Sequence, residues 1–195
     1  MNYPLDLSFK LLALANQISV TDAQGNLIFY VKQKMFKLKE AVTVFADKEQ
    51  TRPLYKINAD RVIDISARYQ ISDVNGGALG SVKRQGMKSL WRARYDIFDG
   101  AETPVFSISE ENPWVKVIDA LAGEIPVLGM FTGFVFNPSY ALKRLDESIV
   151  MRFKKQPSMF ESKFKLESLI PLSVEEEHLA VLSVLMMGLL ERRRG

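Results

Sequence analysis

The cations with the closest spacing fall in two stretches, Lys32, Lys34, Lys37 and Lys39 in the first and Lys83, Arg84 and Lys88 in the second. Ammonium and guanidinium groups gathered on one face hold phosphate and other anionic headgroups by charge-assisted hydrogen bonds. The candidate contacts for an anionic lipid or phosphate are therefore Lys32, Lys34, Lys37, Lys83, Arg84 and Lys88. A plainer reading stands beside this one. Lysine on outward strand positions stays solvated and discourages edge pairing, and Glu40, Asp47 and Glu49 dilute the patch.

Other reactive residue types are sparse. His178 is the single histidine, so any acid–base or nucleophilic scheme using imidazole depends on it. It sits in the first turn of an apolar helix with no nucleophile or ligand spacing beside it, and a structural or rim role is expected. Glu175, Glu176 and Glu177 suit the positive end of that helix better than a metal, and no calcium-type loop accompanies them. The glycines of Gly76-Gly77-Ala78-Leu79-Gly80 follow no phosphate-loop or dinucleotide pattern and read as a tight hairpin. Trp91 and Trp114 read as core anchors. With no cysteine, thiol catalysis, disulfides and thiolate metal sites are excluded together. The expectation is no catalytic residue, no metal, no cofactor and no enzyme.

Whatever positions these residues must be built from 195 amino acids, 47% hydrophobic and 25% charged, with a net charge of +3 and a pI near 9.0. That length suits a single domain over residues 1–195 with a sizeable core. The charge is modest and no reading helix is evident, so nucleic acid is not expected as a partner. The apolar stretch Leu11 to Ala15 is too short for a secretory signal, and Asp6 precedes it where basic residues belong. No apolar run reaches the length of a membrane span. A cytoplasmic protein is expected, with the membrane surface as a peripheral site.

From Gln17 to about Ser109, period-two runs alternate with turn signals at Asp22–Asn26, Asp47–Gln50, Asn75–Gly77 and Asp99–Gly100. Tyr55, Ile57 and Ala59 share one face, as do Trp91, Ala93, Tyr95 and Ile97, with Arg92, Arg94 and Asp96 opposite. The pattern repeats. Met35, Ala41, Phe45 and Asp47 match Met87, Ala93, Ile97 and Asp99 at a spacing of 52, Gly25 and Leu27 resemble Gly77 and Leu79, and a weaker echo appears at Met159-Phe160. Asn112-Pro113-Trp114 opens a short helix ending before Gly123; strands resume at 125–135, 140–144, 148–155 and 159–166. About twelve antiparallel strands favour a closed β-barrel, in a mainly β (α+β) chain.

The last element, 174–192, is a helix. Ser173 and Glu176 form a capping box, and Arg192 to Arg194 suit its negative end. From Leu179 to Leu190 it is apolar on every face, which demands apolar surroundings on every side. These twelve residues rise only about 18 Å, against roughly 30 Å of bilayer hydrocarbon. The helix is expected to thread the barrel as its core.

The combination resembles the tubby C-terminal-like superfamily, and is most similar to its LURP-one-related and phospholipid scramblase-like branch. The resemblance rests on Tyr3-Pro4-Leu5, the hairpin Val20 to Gly25, the stretch Lys32 to Lys39, Tyr69 to Asp73 with Gly77, Leu79 and Gly80, Ser89 to Trp91, Tyr95 to Asp99, and the final helix. It implies a twelve-stranded barrel around a central hydrophobic helix. It also implies a binding or scaffold module, with anionic phospholipid or a protein as partner; the alternative is a peripheral scramblase-like membrane protein. The scramblases' proline-rich tail, cysteine cluster and acidic calcium-binding motif have no counterpart in this sequence.

Overall fold

The computed structural model describes residues 1–12, 15–34, 41–60, 67–85, 94–111, 139–158 and 161–192. The expected helix at 113–121, the strand at 125–135, Trp91, Trp114, Lys37, Lys39, Lys88 and the Met159-Phe160 echo lie outside them. Among the described residues twelve antiparallel strands close into a barrel. They are β1 (Leu5–Leu12), β2 (Ala15–Thr21), β3 (Leu27–Lys34), β4 (Val42–Phe45), β5 (Pro53–Ala59) and β6 (Arg68–Asp73). The remainder are β7 (Ala78–Arg84), β8 (Arg94–Asp99), β9 (Pro104–Glu110), β10 (Ser139–Arg144), β11 (Ile149–Gln156) and β12 (Ser162–Ser168). Each strand pairs with its sequence neighbours, and β1 pairs with β12 to complete the circle, Leu5 opposite Leu166 and Phe9 opposite Ser162. Among the described strands, closure leaves each one paired on both sides.

One end of the barrel is built from a repeated turn. In the hairpins β2–β3, β6–β7 and β8–β9, the carboxylates of Asp22, Asp73 and Asp99 each accept backbone N–H groups two and four residues on. Asp47 does the same work for Thr51 and Arg52 in β4–β5. Three residues after the first residue of each turn the chain takes positive φ, at Gly25, Gln50, Gly76, Glu102 and Glu147. Aspartate suits this role because its short side chain reaches its own following amides. The repeat at a spacing of 52 is therefore two hairpins: Asp47 and Asp99 hold equivalent turns. Gly25 corresponds to Gly76 instead of Gly77, because both occupy the positive-φ position. The same register shift precedes both turns, at Val20/Thr21 and Ile71/Ser72, so these two hairpins are equivalent at a spacing of 51.

The helix α1 spans Val174–Arg192 among the described residues. Glu176 N–H donates to Ser173 Oγ at 3.2 Å, and Ser173 N–H donates to Glu176 Oε2 at 3.1 Å, closing the capping box. From Leu179 to Leu189 it is buried on every side. Around it stand the inward residues of the strands, among them Leu5, Leu7, Phe9, Ile57, Ile71, Val82, Ile97, Phe106, Met151 and Phe153. The alternation expected in β8 is present: Tyr95 and Ile97 are buried, Arg94 is exposed. No helix among the described residues is long and apolar enough to cross a membrane.

Candidate functional site

The tight-turn end of the barrel gathers carboxylates. Helix α1 begins at the tight-turn end and finishes at the opposite one. The turn end carries Asp22, Asp47, Asp73, Asp99 and Asp146 in its hairpins, with Glu175, Glu176 and Glu177 on the first turn of α1. Hydrogen bonds to their own turns hold the carboxyls of Asp22, Asp47 and Asp146 below the usual carboxylate range, so these charges persist into mild acid. The three glutamates do not gather into a metal site. Glu176 takes Arg144 at 2.8 Å, while Glu177 holds the N-terminal ammonium at 3.0 Å.

His178 lies at the rim of this end, half-buried. Its Nδ1 is 2.8 Å from the Tyr55 hydroxyl, and its ring stands edge-on to Phe29 and Tyr55. These contacts position the ring between α1 and the barrel wall, a structural job. Desolvation pushes the imidazole pKa down; the nearby N-terminal ammonium lowers it further, and Glu177 opposes them. The folded state thus binds this proton less readily than the unfolded chain. Stability from this group is complete above the ordinary histidine value of 6.5 and is lost progressively as pH falls from there through the lowered folded-state value. Urea unfolding at pH 7.5 and again at pH 5.5, above the range of the carboxylates, is expected to show a loss in the native protein that is smaller in His178→Gln. Equal losses in both would mean that His178 carries none of it.

The candidate cations separate in the structure. Lys32 is exposed on β3 opposite Gln17, and Lys83 is exposed on β7 between Arg68 and Asp96. Lys34 ends β3 opposite Ala15, and Lys37 and Lys88 lie outside the described residues. Strands β3 and β7 are not neighbours: β4, β5 and β6 stand between them. The two repeats therefore place their lysines at the same end of the barrel, not on one lateral patch. Arg84 does not belong with them. It is 7% exposed and shares the inward parity of Val82, and its guanidinium lies 3.5 Å from Glu191 and over the ring of Tyr95. Tyr95 donates its hydroxyl to the same carboxylate, and burial with that neighbouring charge pushes the phenol pKa up. Arg84 thus ties the last turn of α1 to the wall, a role legible from its two-residue offset from Val82.

A different set of cations does converge. Strands β1, β12 and β11 are adjacent, and their outer faces carry Lys10, Lys163, Lys165 and Lys154. Lys165 stands directly between Lys154 and Asp6. Glu161 pairs with Lys10 at 3.6 Å and Lys163 at 3.1 Å, and Glu167 with Lys154 at 3.2 Å. Each pair is made at the ammonium group, yet the lysine side chains remain 59%, 53% and 41% exposed at Lys10, Lys163 and Lys154, so they stay open to solvent. Cations so held can exchange one carboxylate contact for a ligand's anion.

Comparison with known proteins agrees with this architecture. An X-ray structure of a protein from Arabidopsis thaliana superposes with a TM-score of 0.50 at 18% identity, over 96% of this chain and 91% of that one, which establishes a common fold. No curated protein sequence matches. The model of the LURP-one-related family matches residues 27–168, from the start of β3 to the end of β12. With most of the barrel inside that match, the chain belongs to the LURP-one-related family.

Proposed function

We propose that this protein is a non-enzymatic binding module whose ligand is an anionic phospholipid headgroup, met at the membrane surface from the cytoplasmic side. The observation that carries the reading is the column Lys10, Lys163, Lys165 and Lys154, continued across β2 by Lys32, which stands level with Lys10. A cation near an anionic membrane surface contributes roughly 1 kcal/mol, so a handful suffices for reversible attachment at low ionic strength. Among the described residues the interior is filled by α1 and the inward side chains packed against it. The alternative of a scramblase-like protein that inserts its C-terminal helix draws no support from that helix, whose apolar faces are all engaged by strands.

Co-sedimentation with phosphatidylcholine vesicles containing phosphatidylserine or a phosphoinositide tests the reading. Binding is expected at low salt, with loss at high salt and none to pure phosphatidylcholine. Lys154→Glu and Lys163→Glu are each expected to weaken it by about fivefold or more. Absence of binding at low salt, or full binding by the variant carrying both Lys154→Glu and Lys163→Glu, would remove the lipid reading.

A further inference from the structure

Every large hydrophobic side chain that stays exposed among the described residues lies at the tight-turn end: Val74, Leu145, Leu169, Ile170 and Val174. Single exposed apolar groups are ordinary; a gathering of them is not. Four come from segments that the structure joins. Arg144, in the β10–β11 turn beside Leu145, is bound to Glu176 of α1, two residues beyond Val174. The backbone N–H groups of Leu169 and Ile170 both donate to the carbonyl of Val150, at the start of β11. Leu145 and Val174 are 68% exposed, at the apex of a tight turn and on the first residue of a helix, where nothing about the fold calls for leucine or valine.

We propose that this end is a docking surface for a basic amphipathic helix of a protein partner. The charge decides the sign of that partner. Asp146 and Glu147 follow Leu145 in its turn and Glu175 follows Val174, all three exposed, while the cations beside them, Lys143 and Arg144, are already held by Glu147 and Glu176. An anionic membrane would meet these carboxylates with repulsion, and so would a second copy offering the same face across a two-fold axis. A strand is excluded as the docking element, since the closed barrel has no edge to extend. A helix with leucine-like residues at i, i+3, i+4 and i+7 and lysine or arginine on its flanks satisfies both halves of the surface. The barrel then works with two surfaces, a lysine-bearing outer wall on β1, β12 and β11 for anions and an acidic apolar end for a basic protein segment.

The probe is a fluorescent leucine–lysine peptide with that spacing, read by anisotropy against the intact protein. Its scrambled sequence and a leucine–glutamate version of the same spacing serve as controls. The leucine–lysine helix is expected to bind, the glutamate version not to bind, and added salt to weaken the complex. The double variant Leu145→Ser, Val174→Ser removes only exposed side chains and is expected to melt with the native protein while losing affinity by about tenfold or more. Glu175→Lys is expected to weaken the same complex without touching the apolar contact. No binding, equal binding of either control, or an affinity unchanged by the double variant would overturn the proposal. Dimerisation, or vesicle binding, abolished by that double variant would likewise overturn it, by assigning the face to a second copy or to lipid.

Discussion

Leu185→Asp is expected to leave no cooperatively folded protein. Leu185 is fully buried at the middle of α1, and the barrel surrounds it on all sides, so the new carboxylate would have neither water nor a partner within reach. Truncating a buried leucine to alanine alone costs about 2–5 kcal/mol. Burying an unpaired polar group adds several more, which together rival the roughly 5–15 kcal/mol that holds an ordinary domain together. Because α1 is the shared core of all the strands, its loss removes the inner contacts of the whole barrel at once. Leu185→Met, nearly equal in volume, is expected to cost under about 1.5 kcal/mol and to fold. Circular dichroism and urea unfolding of the two variants decide the matter. A soluble Leu185→Asp protein with a native melting transition would mean that the helix is peripheral to the barrel.

That helix was legible in the sequence because everything that fixes it is local. The capping box names its start, the acidic first turn suits its dipole, and an all-round apolar run too short for a bilayer names its surroundings. The hairpins were legible for the same reason: each aspartate-led turn carries its own hydrogen bonds within five residues. The arrangement of the cations was not. Pairing of β1 with β12 joins residues at opposite ends of the chain, and only that closure brings Lys10 near Lys163, with Glu161 shared between them. Conversely, Lys32 and Lys83 look equivalent along the sequence, yet the barrel order inserts three strands between β3 and β7. Arg84 shows where charge misleads. Its place in β7 has the parity of a core residue, and a cation is tolerated there because Glu191 and Tyr95 meet it at the last turn of α1. Composition marks a residue's chemistry, whereas strand order decides its neighbours.

Gly80→Ala is the second substitution expected to strike the whole barrel, and its effect is set by backbone. Gly80 lies in β7 with φ of +155°, just beyond the register shift that follows Ile71, and it pairs with both Ile71 and Asp99. A Cβ at this position would stand 2.2 Å from the carbonyl oxygen of Phe98 and 2.8 Å from Leu179 of the helix. Side chains can turn aside from such a contact, but a carbonyl within a paired strand cannot move without opening the ladder. Glycine is thus what lets β8 lie against β7 while α1 approaches from inside. The strained dihedral costs about 1–3 kcal/mol, and overpacking against the helix about 1–3 kcal/mol more. Gly25→Ala is a useful contrast: it also takes positive φ, at +83°, but a Cβ there would meet nothing within 4 Å. That variant bears the dihedral cost alone. The expected order of melting temperatures is native, then Gly25→Ala, then Gly80→Ala, with the last lowered by roughly 10 °C or more for a chain of this size. Equal losses at the two glycines would mean that close packing of β7 against β8 and α1 contributes nothing beyond backbone strain.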